Sequence, residues 1–574
     1  MESRPFTERH VPKPLSLALV AALLVSGPVA AEPDLGSYLA ARQAGLTQDF
    51  DAAAKYFGQA LTRDPANPAL RENALTSFIA IGEMDAALPV AQAIHDDGQT
   101  SQMANLTLLT EAARTEDWDG IFDLLESGHE VGPMIDGITQ AWAFVGKGRM
   151  DSALDTFDEM IDTPGLQSFG YLHKALALSM VGDLEGADAI LSRSPDQGVI
   201  PTRASVLTHV QVLARLGRFE QAREVLEQAF GQSPNPELQA IRESLAAGIA
   251  PEGIGVAETP REAVAYLFLS LAQALRGEAE DAYLLMYAQS AAHIDPDRAD
   301  AHIAAANLLD DIGQYDLAAA TFAKVATDDP AFLAAELGRA EALRSDGKTA
   351  AAIEVLSQLS RSHADFPMVH TALGDILRRE QEYEKANAAY DTALSLYPED
   401  DPSVWWVTYA RGITHERLGQ WDAAEADFRE ALRLNPGQPS VLNYLGYSMV
   451  EMGINLDEAL AMIEQAAKAR PDSGAITDSL GWVLFKLGRY DEAVTHMERA
   501  VELEPLDAII TDHLGDTYWM VGREAEAYFQ WQRALSFDPE PDLAERIRRK
   551  LEVGLTEVLR EEDQDPADMA YDRQ

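Results

Sequence analysis

Apolar positions along this chain recur three and four residues apart, in blocks that short polar turns separate, and the blocks themselves repeat. Such spacing places the apolar side chains on one stripe of an α-helix. Between Asp478 and Pro505 the order is DSLGWVLFKLGRYDEAVTHMERAVELEP, with Leu480, Gly481, Leu484, Gly488, Tyr490, Ala493, Ala500 and Pro505 at set positions. The next stretch, DHLGDTYWMVGREAEAYFQWQRALSFDP, repeats Leu514, Gly515, Tyr518, Gly522, Ala527, Ala534 and Pro539, each 34 residues on (480 to 514). Looser copies run back through Gly446, Gly412, Gly374 and Gly313 to Phe50–Pro65. A period of this size predicts an all-α solenoid of about 12 to 14 helix pairs stacked one on the next.

Each position has a physical role in that reading. Gly481 and Ala493 belong where the paired helices approach most closely, since a larger side chain would push them apart. Gly488 ends the first helix, where a left-handed residue costs glycine little. Asp491, like Asp51, Asp85, Asp151, Asp316, Asp422 and Asp457, is expected to open and cap the second helix. Pro505 stops the unit and turns the chain.

Breaks in register divide the chain. Residues 1–31 read as an export signal: Arg4, Arg9 and Lys13 precede the apolar run LSLALVAALLV (15–25), and Val29 and Ala31 suit a cut before Glu32. The run is short for a permanent membrane anchor. A degenerate array is expected over 32–246, a Gly- and Pro-rich linker over 247–262, and a better-formed array over 263–540. A capping helix over 541–560 and a disordered acidic tail over 561–574 complete the expectation.

Charge and chemistry narrow the function. Asp and Glu number 94 against 45 Lys and Arg, a net charge of −49, which repels nucleic acid and anionic lipid. The chain has no cysteine, so thiolate chemistry, disulfides and lipidation at a signal-cut cysteine are excluded. No HExxH or GxSxG occurs, and the 12 histidines lack metal-ligand spacing. GKT at 347–349 has Ala342 where a phosphate loop needs glycine, and DPDRAD at 295–300 lacks the glycine and terminal Glu of a calcium loop. The expectation is a protein that is not an enzyme and needs no cofactor or metal. An enzyme with an acidic metal site is the reading set against it, distinguished by a divalent-metal dependence.

The repeat positions resemble the tetratricopeptide repeat family, most clearly in five consecutive units after residue 366. That resemblance implies a right-handed superhelix whose first helices line an inner groove. By the family's geometry the groove takes Tyr447, Trp482, Phe485, Asp516 and Trp519, with Trp406 and Asn443 nearby. Family members that clamp acidic peptide termini use Lys, Asn and Arg at these places. Here Asp478, Asp512 and Asp516 stand there, with Asn443 the one match, so the expected ligand is an apolar segment flanked by Lys or Arg.

LNYLGYS, DSLGWVLFKLGRYDEAV and DHLGDTYWMVGREAEAYFQWQRAL are further similar to the C-terminal repeats of exported bacterial adaptors that partner a carboxyl-terminal processing protease. That likeness implies a periplasmic scaffold in the cell envelope that recruits a protease or peptidoglycan hydrolase. Those adaptors carry a lipidated cysteine, which this chain lacks. The alternative is an assembly or secretion factor for an envelope polysaccharide or an outer-membrane machine.

Overall fold

The computed structural model describes residues 35–562 apart from 196–197, 232–235, 252–253, 255 and 399. The expected signal peptide and all but the first two residues of the expected tail lie outside the described residues. Among those described the chain forms 31 helices and no strand. They gather into two compact units that divide between Leu317 and Ala318. The expected linker, 247–262, falls inside the first unit.

In the second unit six antiparallel pairs follow one another, from Phe332–Ser345 with Thr349–Ser362 to Ala508–Met520 with Glu524–Leu535. The pairing follows from the sequence as reasoned. A Cβ on Gly481 would stand 2.9 Å from Met497, and one on Gly515 would stand 2.5 Å from Trp531. Ala493, Ala500, Ala527 and Ala534 are fully buried opposite them. Gly488 takes φ +71° where the first helix ends.

Two local expectations change. Asp491 and its counterparts lie in the first turn of their helices, one residue past the start rather than at the capping position. Their contribution is charge near the helix's positive end. Asp49 caps the helix that Asp51 was expected to open, and Asp117 and Asp183 cap two further second helices, each accepting from the N–H three residues on. The closing helix is two helices, Pro541–Val553 and Leu555–Glu561, broken at Gly554. That residue has φ +81°, and a Cβ there would lie 2.4 Å from the Trp519 ring, so both conformation and space demand glycine.

The first unit is built differently. Six pairs run from Leu35–Leu46 to Phe219–Phe230, followed by Pro236–Ala246. The chain then crosses to the inner side of its own array. The helices Pro260–Ala274 and Asp281–Ile294 form a hairpin packed on Pro68–Ala80, Gln102–Arg114 and Pro133–Gly146, the first helices of three earlier pairs. Residues 263–272 are buried without interruption, as are 284–292. Helices so uniformly apolar need cover on every side, and the inner face of the array supplies it. Gln289 donates to the Ala80 carbonyl at 3.0 Å, and His293 meets Glu111 at 3.1 Å.

Candidate functional site

The inner face of the second unit is lined by its first helices, and three positions per helix point along it. One follows the helix-pair glycine: Arg339, Asp375, Ile413, Tyr447, Trp482 and Asp516. One precedes the glycine by three residues: Ala335, Thr371, Tyr409, Asn443, Asp478 and Asp512. The third, four after it, includes Arg378, Glu416, Phe485 and Trp519.

The structure divides the seven residues expected in this groove. Trp482, Phe485 and Asp516 are buried, at 6, 1 and 0% exposure, and present no surface to a partner. The reason is that Pro439–Glu451, Gly474–Lys486 and Ala508–Met520 pack directly on one another, so each ring lies across its neighbour. Trp482 stacks with Phe485 at 4.7 Å and His513 at 3.9 Å between ring centres, and its indole N–H donates to Glu451 at 2.6 Å. Trp519 is half-buried and donates to Thr556 Oγ1 of the closing segment at 2.9 Å.

Asp516 belongs to a buried charge cluster. Lys550, fully buried on Pro541–Val553, reaches Asp512 and Asp516, each at 2.7 Å. Trp531 donates to Asp516 Oδ1 at 2.8 Å, and His513 pairs with Asp478 at 3.0 Å. Burial opposes the charged imidazolium of His513, but Asp478 beside it, with Asp512 and Asp516 nearby, raises its pKa above the ordinary 6.5. Burial raises Asp512 as well, against the pull of Lys550 and with the push of Asp516. The Asp512 Oδ1 atom has no hydrogen-bond partner. Arg546 also faces the pair, 3.9 Å from Asp512 and 3.5 Å from Asp516. The work of the cluster is to lock the closing helix onto the last repeat.

Trp406, Asn443 and Tyr447 remain at the surface of the strip. Trp406 is 39% exposed, and Asn443 and Tyr447 are half-buried. The rings step from Trp406 to Tyr409 at 5.6 Å and from Tyr409 to Tyr444 at 5.9 Å. The Asn443 Oδ1 atom is buried with no hydrogen-bond partner within the fold. Burial pushes the Tyr447 hydroxyl up, and the charges of Glu451 and Asp478 push it further. Glu416 was available to sequence reasoning from the same spacing and was missed, while Tyr409 is as buried as Trp482. The signal was the position of Glu416 relative to Gly412.

No group of three or more His, Asp or Glu side chains among the described residues is placed to hold a metal ion. Nor is any helix among them long and apolar enough to cross a membrane.

Stacked antiparallel helix pairs with an aromatic inner strip define a helical-repeat scaffold. Profiles described as tetratricopeptide repeat match residues 38–101, 205–228, 313–376, 365–436, 409–473, 455–508 and 479–540. The chain belongs to the tetratricopeptide repeat family, whose members bind protein partners. It is similar to TPR repeat-containing protein PA4667 of Pseudomonas aeruginosa, 28% identical over 159 residues, which is 28% of this chain and 26% of that protein. It is also similar to the human protein O-mannosyl-transferase TMTC1, 24% identical over 168 residues, 29% of this chain and 19% of that one. The matches thus span well under a third of either relative. Among solved structures, a chain of the APC/C hetero-tetramer Cut9-Hcn1 aligns over 91% of this chain and 96% of its own, at 17% identity and a TM-score of 0.37.

Proposed function

We propose that this protein is a non-catalytic scaffold that holds an extended segment of a partner protein along the inner face of its second unit, at Trp406, Asn443 and Tyr447. The observation that carries the reading is the Asn443 side chain, whose Oδ1 has no hydrogen-bond partner within the fold, one turn before Tyr447 on the same helix. An amide N–H can donate to a peptide carbonyl, and the exposed Trp406 ring gives contact area at low entropic cost. The chain's net charge of −49 favours a segment with Lys or Arg around apolar residues. The first unit's inner face, filled by its own hairpin, offers no such seat.

In its sharper form the protein is exported through residues 1–31 and works in the periplasm, recruiting a processing protease or a cell-wall hydrolase. The C-terminal repeat sequences and the basic, then apolar, N-terminus support this. Affinity capture of residues 32–574 from a periplasmic extract of the source organism tests it, with Trp406→Ala and Asn443→Ala run in parallel. Recovery of a protease or wall hydrolase, lost in both variants, is the expected result. Recovery of polysaccharide-export or outer-membrane assembly components would replace the adaptor reading with the assembly one. Retention of the partner by both variants would move the site elsewhere.

A further inference from the structure

A second surface lies on the outside of the first unit. The helices Met84–Asp96 and Trp118–Glu126 stand apart over Gln102–Arg114 and leave a groove of about 990 Å³ between them. Its apolar lining is Leu88, Pro89, Leu108, Ala112 and Leu124. Local sequence makes the gap. Trp118–Glu126 has only 9 residues where the other wall has 13. In that wall Pro89 sits inside the helix and, lacking an N–H, leaves the Asp85 carbonyl without its helical donor.

The rim has one sign of charge. Glu111, Asp117, Asp123 and Glu126 line the groove, and no Lys or Arg does. Arg114 is taken up by Glu111 at 2.7 Å and Lys147 by Asp119 at 2.8 Å. No ion pair among the described residues includes Asp117, Asp123 or Glu126. At one end His95 and His129 lie with ring centres 4.1 Å apart; burial and the neighbouring ring favour the neutral form of His129.

We propose that this groove docks an amphipathic helix of a partner protein, with its Leu-type face on Leu88, Leu108 and Leu124 and its Lys or Arg residues against Asp117, Asp123 and Glu126. The size agrees. A helix about 10 Å across displaces roughly 120 Å³ per residue, so the groove admits about two turns. A second copy of this acidic chain would bring like charge to the rim, and the basic flank selects a different molecule.

The test is fluorescence anisotropy of a labelled Leu/Lys helical peptide, LKKLLKLLKKLLKL, with the full chain at 150 mM salt, alongside its Leu/Glu counterpart. Binding of the Lys peptide alone is expected. The paired change Asp123→Lys with Glu126→Lys should weaken it at least tenfold, and so should Leu88→Asp. The first pair is exposed and leaves the fold intact, which circular dichroism would verify. Reversing Asp328 and Asp365, exposed and absent from the groove's lining, should change affinity less than twofold, since an exposed charge that makes no contact with the peptide is screened by salt. Equal losses from both reversals, or equal binding of the Leu/Glu peptide, would overturn the proposal. So would self-association of the protein, seen by light scattering, that Leu88→Asp abolishes.

Discussion

Trp482 is held at its indole nitrogen by Glu451 and at its ring by Phe485 and His513, so its loss acts on the fold. Trp482→Ala is expected to cost about 3–5 kcal/mol in urea unfolding of the second unit. Trp406→Ala, at an exposed ring, should leave that midpoint within about 0.5 kcal/mol while removing partner binding. Lys550→Met strands Asp512 and Asp516 in the interior and should cost about 3–5 kcal/mol, seen as rapid hydrogen exchange in 541–561. Histidines give each unit its own pH response. His513, raised above 6.5, contributes its stability in full below that value and loses it as pH rises through the raised one. His173, fully buried and accepting from Trp142, is pushed down to about 3, so its contribution is present above 6.5 and fades as pH falls. Thermal melts at pH 5.5, 7 and 8.5 check both: His513→Gln should flatten the alkaline loss, and His173→Gln the acid one.

At the level of helices, much was legible because the repeat writes the same constraint many times. Gly481 and Gly515 predicted close helix approach, and Met497 and Trp531 occupy the space that those glycines leave. The hairpin Pro260–Ala274 with Asp281–Ile294 escaped the reading as a continued array. Its runs AVAYLFLSLA and LLMYAQSAA are apolar all round and lack a polar stripe, which marks a helix enclosed on every side. What encloses it is set by contacts with residues far back in the chain, such as Gln289 with Ala80, and no local pattern reports these. The burial of Trp482, Phe485 and Asp516 went unread for a related reason. Spacing from Gly481 gave the direction of Trp482, but its burial depends on how tightly successive first helices pack. Phe268→Ala, at a fully buried ring of the hairpin, should lower the first unit's stability by about 3–5 kcal/mol and leave the second unit's transition in place.

Across the whole molecule the excess of acid sets the background. A net charge of −49 repels itself in the folded state, so raising salt from 10 to 200 mM should raise both melting temperatures. The same field draws in basic segments, which gives the inner strip of the second unit and the outer groove of the first a common electrostatic preference. Their shapes keep them distinct, the one suited to an extended strand of peptide and the other to a helix.

The hairpin inside the first unit also bears on mechanics. A coil of helix pairs with an open bore stretches as a spring, each pair sliding a little on the next. Wound on a core of its own making, the first unit cannot lengthen without peeling Gln102–Arg114 and its neighbours from the helices beneath. Pulled from its ends, the chain should yield softly and in small steps over 332–535, and stiffly, in one larger event, over 68–294.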